Sequence, residues 1–499
     1  MSAETNPHLD APALQAASGP VLTPHPFQRA GAWALAVMTD AEHPEQMGLE
    51  AFLAAHERVT GYAAAAARVD KAKQDEGIAG AFWLHTLMNI HFPNSPGMQG
   101  NTRGNKTPDD RELELRQHRS PSAYDPDGVN VPCALCARPA AALANKSMFP
   151  LAPASGVHND LPHRVAGFPL CFPCLASGWA LPHASHHTGG SSLLYLTEDE
   201  QLQRKFTSVA VRENGRLLGM NASRATYRKG REPREVVITE LRSYRRPTRD
   251  GVQLWVYTNS NQSPRVTEAA LDGAHATWFA VMTDRPARET GWDTLTRVAA
   301  TKNETGLARL SREVFTDPDR LWRTTTRILR GMVDARSRTV RREFPTLVAL
   351  LHDLFTTGLA NHNTREGAST MDTTTRQRID DTAQKISELI RAKSGAGGFH
   401  EFRRAIEGGP KEFAPWLRSK SADWLLLYAG DRGPLVDVDT HDLLVPSETT
   451  DYSLGYRARD LLYFAVIQDL HRQEWLSTEE PEDPAAEDDE DDVDTEDTP

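Results

Sequence analysis

Apolar residues recur near every 3.6 positions over 27–38, 49–69 and 78–90, which predicts three helices at the start of the chain. The five alanines 63–67 strengthen the second. Phe82, Trp83, Leu84, Leu87 and Met88 make one heavy apolar face in the third. Periodicity stops over 94–106, which is Gly/Asn-rich, basic and apolar-poor and reads as a loop. Between 207 and 283 the pattern turns to short β-branched and aromatic runs: 208–211, 236–239, 253–257 and 277–282. Asn214-Gly215 and Arg249-Asp250-Gly251 read as hairpin turns between them. Helical spacing returns over 288–476. A start at Asp317-Pro318-Asp319 is followed by an apolar face at Leu347, Leu350, Leu351, Leu354 and Phe355. After a polar break at 358–370, further helices are expected near 372–393, 411–428 and 457–475, the last with a buried stripe through Leu461, Leu462, Phe464, Ala465 and Ile467. Residues 393–398 read as a linker, and no internal repeat is present.

The expected fold class is therefore α+β multidomain. Residues 1–24 form a disordered start and 25–130 a helical part with the Gly/Asn-rich loop. A four-cysteine module (131–176) and a basic, antiparallel β-rich part (177–286) complete a mixed N-terminal domain. A C-terminal helical bundle (287–476) and a disordered acidic tail (477–499) follow. The longest apolar runs are far shorter than a membrane span needs. Residues 1–24 are Ala/Pro-rich with no basic stretch before an apolar core, so no export signal and no membrane partner are expected, and the cytoplasm is the expected compartment.

Charge divides the chain unevenly. The formal net charge is −12, but residues 479–499 hold thirteen Asp/Glu and no Lys/Arg, so the remainder stands at +1. The tail reads as a solubilising end, with a nucleic-acid mimic as the sharper alternative. From Arg204 to Arg249 there are thirteen Lys/Arg against four Asp/Glu. Tyr227, Tyr244, Trp255 and Tyr257 lie among or just after them, a mixture suited to holding phosphates and stacking bases. Arg224, Arg228, Lys229, Arg245 and Arg246 are the backbone-contact candidates here. Arg323, Arg327 and Arg330, at i, i+4 and i+7, form a second basic stripe, which Arg336, Arg338, Arg341 and Arg342 continue.

All four cysteines fall in two C-x-x-C pairs, Cys133/Cys136 and Cys171/Cys174, separated by 34 residues. Two such turns complete a four-thiolate tetrahedral shell, the ligand set of a structural Zn²⁺. The histidines of the turn 182–192 are not needed to fill that shell. His186 and His187 with Gly189 and Gly190 instead suggest a polar turn that lets backbone approach a ligand. Asn101, Arg103, Asn105 and Lys106 offer a second such loop. No phosphate loop, nucleophile elbow or H-E-x-x-H is present. His158-Asn159-Asp160, between the two cysteine pairs, leaves an HNH-like zinc-knuckle nuclease as one alternative, and a zinc-containing scaffold without nucleic acid as another.

The four cysteines, Phe149-Pro150-Leu151 between them and the run Gly167-Phe168-Pro169-Leu170-Cys171 resemble the CXXC–CXXC large subunits of type I (I-B-like) CRISPR Cascade effector complexes. The match is specific over about 130–176; length and domain order extend it more loosely. The resemblance implies a non-catalytic subunit with CRISPR RNA, target double-stranded DNA, Cascade backbone and small subunits and a helicase–nuclease as partners. Its implied roles are protospacer-adjacent-motif recognition, duplex opening and holding of the displaced strand. In some such systems a small subunit is translated from within the same gene. Met371 would suit that role, but an ordinary Met at a helix start is the favoured reading of it.

Overall fold

The computed structural model describes the chain except residues 1–18, 71–79, 100–102, 126–128, 153–166, 189, 221–231, 261–263, 318, 335, 357–372, 394, 429–431, 447–451 and 479–499. Met371, His158-Asn159-Asp160 and residues 479–499 of the acidic tail thus lie outside the described residues, while Ser477 and Thr478, expected in the disordered tail, form a short strand. The fold is mixed α/β and mainly helical, in two compact units, Met1–Met282 and Thr283–Pro499.

In the first unit, α1 (Pro26–Met38) begins with proline at its first turn, where a missing N–H costs nothing. Helix α2 (Leu49–Arg68) buries Phe52, His56, Val59, Ala63 and Ala67, one face of a helix. Helix α3 (Ala81–Thr86) runs into a π-turn at Leu87–His91. Helix α4 (Pro108–Arg119) starts with a reciprocal capping box between Thr107 and Asp110. Strands β1 (Ala142–Ala144) and β2 (Phe168–Leu170) pair antiparallel and deliver the chain to α5 (Phe172–Ala184), buried on every side. Helix α5 packs along α1. Gly31 makes this possible, because a Cβ there would lie 1.7 Å from the Ser177 carbonyl oxygen. Gly31→Ala is expected to cost about 1–3 kcal/mol, toward the upper end because the obstacle is backbone, read as a lowered urea midpoint of this unit.

A four-stranded antiparallel sheet completes the unit: β3 (His186–His187), β4 (Ser192–Leu196), β5 (Val252–Thr258) and β6 (Arg265–Leu271), in that order. The strand expected at 253–257 is β5. The other three expected strands are helical: 208–211 lies inside α6 (Glu200–Gly219), 236–239 inside α7 (Pro233–Tyr244), and 277–280 inside α8 (Gly273–Ala280), after which 282 enters a short 3-10 turn. Buried residues decide each case. Leu202, Phe206, Ala210, Asn214 and Leu217 recur at three and four residues, as do Val237, Ile238 and Leu241. Asp199 and Asp272 cap their helices, accepting from Leu202 N and His275 N at 3.0 Å. Asn214-Gly215 makes no hairpin; the Asn214 amide donates to the carbonyls of Pro182, His183 and Ser185, at 3.2, 3.1 and 2.9 Å, and so satisfies the end of α5.

Among its described residues the second unit is mainly helical, with three short strands. Its helices are α9 (Pro286–Val298), α10 (Gly306–Thr316), α11 (Asp319–Gly331), α12 (Phe344–Thr356), α13 (Thr373–Ala392), α14 (Gly397–Glu407), α15 (Pro410–Tyr428), α16 (Val438–Leu444) and α17 (Tyr452–Arg472). Strands β7 (Val333–Asp334), β8 (Thr339–Val340) and β9 (Ser477–Thr478) form one sheet, with β8 and β9 parallel. Helix α17 packs on α12, α13 and α16, with Leu461, Leu462, Phe464 and Ile467 fully buried. Among the described residues no helix is long and apolar enough to cross a membrane.

Candidate metal centre and nucleic-acid residues

The first cysteine turn is held by backbone. Pro132 and Pro139 form an isolated bridge, Cys133 N donates to Arg138 O at 2.6 Å, and Ala137 N donates to Cys133 O at 2.9 Å. Ala137 sits at φ 61°, the left-handed conformation that reverses the chain so that Cys133 and Cys136 face one point. Ala134 N donates to Pro169 O at 2.9 Å, which ties this turn to the second. There Cys171 is the N-cap of α5 and Cys174 lies in its first turn. The four Sγ atoms lie within 4.8 Å of one another, with Cys136 and Cys171 at 3.4 Å. Sulfurs about 2.3 Å from a tetrahedral ion stand roughly 3.8 Å apart, so the arrangement fits a metal with little adjustment. All four are free of disulfides; Cys133, Cys171 and Cys174 are buried and Cys136 is half-buried.

The thiols share protons unequally. Hydrogen bonds from Cys136, Cys171 and Cys174 hold Cys133 far toward the thiolate. Donation to Cys133 and Cys136 pushes Cys171 and Cys174 up. One dication would resolve this crowding by taking all four sulfurs as thiolates. Phe149, 1% exposed, lies against α5 where a Cβ on Gly178 would be 2.5 Å from its ring. The Phe149-Pro150-Leu151 segment therefore anchors the chain between the cysteine pairs to the helix that carries the second pair.

The expected reader loops are built differently. Arg103 is 3% exposed, and its guanidinium donates to Gly97 O and Ala67 O at 3.0 Å and to Val69 O. Arg111 donates beside it to Ala67 O at 2.8 Å and Arg68 O at 2.8 Å. The two arginines satisfy the last carbonyls of α2, where the helix dipole favours cations. Arg103 is thus turned inward, away from any groove. Lys106 pairs with Glu114, and Asn105 is exposed. Asn101 lies outside the described residues.

His186 and His187 are strand residues rather than a polar turn. His187 Nδ1 meets Ser192 Oγ at 2.8 Å and its Nε2 meets Pro182 O at 3.0 Å. Ser192 Oγ also meets His91 Nε2 at 2.9 Å, and His91 Nδ1 meets Tyr257 OH at 3.0 Å. Asn259 donates to His91 O at 2.7 Å. This buried network fastens the π-turn to the sheet. His91, Ser192 and Asn259 had no sequence signal, since each is a single polar residue in an unremarkable setting. Gly190 is exposed and Gly189 lies outside the described residues.

Burial sets the protonation of this network: it holds His187 down to about 3 and His186 down to about 4, and holds His91 well below its usual value. The unfolded chain protonates near 6.5 and the folded core does not. Stability is therefore complete above about pH 6.5 and falls as pH drops, toward about 4 for His186 and about 3 for His187, by about 1.4 kcal/mol per pH unit for His187 alone. Urea midpoints at about pH 7 and about pH 5 check this; equal midpoints would mean that these imidazoles reach solvent.

Among the basic candidates, Arg224, Arg228 and Lys229 lie outside the described residues. Arg245 and Arg246 are exposed at the end of α7, with Arg246 donating to Gln201. Arg323 is 62% exposed and pairs with Asp317; Arg327 is exposed and meets Thr324 Oγ1 at 3.4 Å. Arg330 differs from both. It pairs at 2.6 Å with Asp460, whose side chain is 4% exposed and also accepts from Trp322 Nε1 at 3.2 Å. Arg330 thus joins α11 to α17, and the exposed stripe is shorter than its spacing predicts.

No family model, curated protein or solved structure matches the chain.

Proposed function

We propose that this chain is the large subunit of a type I CRISPR RNA-guided surveillance complex and that its four-thiolate centre holds a structural Zn²⁺. The observation that carries the reading is the metal centre itself: two C-x-x-C turns brought to one point, with the intervening Phe149 packed on the helix behind the second pair. The resemblance rests on these same residues. Four thiolates fill a tetrahedral shell, so the ion orders the chain and leaves no position for a catalytic water. A helical second unit with exposed arginines suits a displaced strand. Asn105, Lys106 and Gly190 remain at the surface or near it and are the contacts assigned to the short duplex motif. Arg323 and Arg327 track phosphates, as do Arg245 and Arg246. Target sequence is read by the guide RNA, and the protein reads only the short motif, a division of labour established for another class of RNA-guided effector.

Two measurements test this. Co-expressed with the subunits encoded beside it, the chain is expected to co-purify with small RNA; a stable assembly without RNA overturns the class. Duplex affinity is expected to fall steeply with salt, and Arg323→Ala with Arg327→Ala to flatten the log–log slope by about 2, roughly 0.9 per phosphate contact. An unchanged slope removes these two residues from the interface.

A further inference from the structure

Arg119, the last residue of α4, is 1% exposed. Its guanidinium lies over two aromatic rings, 5.6 Å from the centroid of Phe92 and 5.5 Å from that of Trp179. Its Nε and Nη1 are buried and meet no hydrogen-bond acceptor, and among the described residues no carboxylate pairs with it. Two further buried groups beside it are also without partners: the indole N–H of Trp179 and Nε2 of His183, 1% and 2% exposed. Trp179 and His183 stand one turn apart on α5, hence on one face. His183 is held neutral, first by burial and then by the charge of Arg119. Burial lowers Arg119 itself only to about 9, so it remains a cation at neutral pH.

A buried cation without a counter-charge is strongly unfavourable, and aromatic ring faces offset only part of that cost. Arg103 and Arg111, also buried, show what this unit does elsewhere: each is surrounded by backbone carbonyls. Arg119 has no such set. A water molecule can accept from the guanidinium but supplies no charge.

We propose that Arg119, with Trp179 Nε1 beside it, forms an internal site for a small monovalent inorganic anion of the chloride type. The anion is a structural counter-ion that completes the packing of α4 against α5. It is distinct from the thiolate centre at the N-terminus of α5 and independent of the function proposed above.

Crystals of the full chain grown in bromide test this by anomalous diffraction. A bromide peak within hydrogen-bonding distance of Arg119 Nε or Nη1 is expected; water density alone, or none, overturns the site. In solution, the wild-type thermal midpoint is expected to be roughly 2–8 °C higher in sodium chloride than in sodium gluconate of equal ionic strength. Arg119→Met, of similar length and uncharged, is expected to remove that difference. A variant that keeps it overturns the assignment, and if the variant does not fold the bromide result on the wild type decides alone.

Discussion

Replacing Cys171 by serine is expected to empty the metal centre and unfold the first unit. Serine is itself a strong N-cap, so the start of α5 keeps its local capping chemistry and the change isolates the lost thiolate. A structural Zn²⁺ site contributes on the order of 10–16 kcal/mol of apparent binding energy, comparable to or above a typical domain margin of about 5–15 kcal/mol. Helix α5 is buried on every side and packs along α1, so loss of its anchor reaches the centre of the unit. Elemental analysis is expected to fall from one metal per chain to nearly none. The first unit's unfolding transition should disappear while the second unit's remains. Chelation of the wild type should reproduce both changes. A variant that keeps a full melting transition would show that the four thiols do not depend on a metal for their arrangement.

Asp353→Ala is expected to produce the largest single-residue loss in the second unit. Arg288 Nε meets Asp353 Oδ2 at 2.6 Å and its Nη2 meets Oδ1 at 3.1 Å, a bidentate pair with side chains 4% and 9% exposed. Arg285 adds a bond to Oδ1 at 2.9 Å. The pair joins α9 to α12, next to the place where Gly291 lets Leu350 approach. Alanine removes the counter-charge and leaves the Arg288 guanidinium inside, which costs about 3–5 kcal/mol. Denaturant titration followed by helix-specific circular dichroism measures it. A loss under about 1 kcal/mol would mean that water reaches Arg288 and the pair behaves as a surface one.

Some of this was legible from residue order and some was not. Helices α1 and α2 follow directly from 3.6-residue spacing, and β5 from its alternating aromatic and β-branched run. Val236-Val237-Ile238 misled because β-branched residues favour strands. Pro233 at the helix start, and a buried stripe that needs Leu241 to complete it, override that preference. Strand β4 was missed because all five of its residues are buried, so it shows no alternation. The arginines misled for another reason: their spacing along a helix does not show what waits at the end of the side chain.

The sequence by itself determined which four side chains form the thiol cluster, because C-x-x-C places two sulfurs on one turn whatever surrounds it, and two such turns leave no cysteine over. It also determined the helical start of each unit through short-range periodicity. Only the tertiary structure decided which cations face solvent. Arg323 and Arg103 are alike in sequence, yet one extends into water and the other closes the carbonyls of α2 from 34 residues away. Arg330 meets Asp460 across 130 residues, and among the described residues the Arg119 guanidinium lies against the rings of Phe92 and Trp179. A guanidinium takes its role from the carbonyls, carboxylates or aromatic faces that chain closure brings to it, and those partners are set by packing rather than by neighbours in sequence.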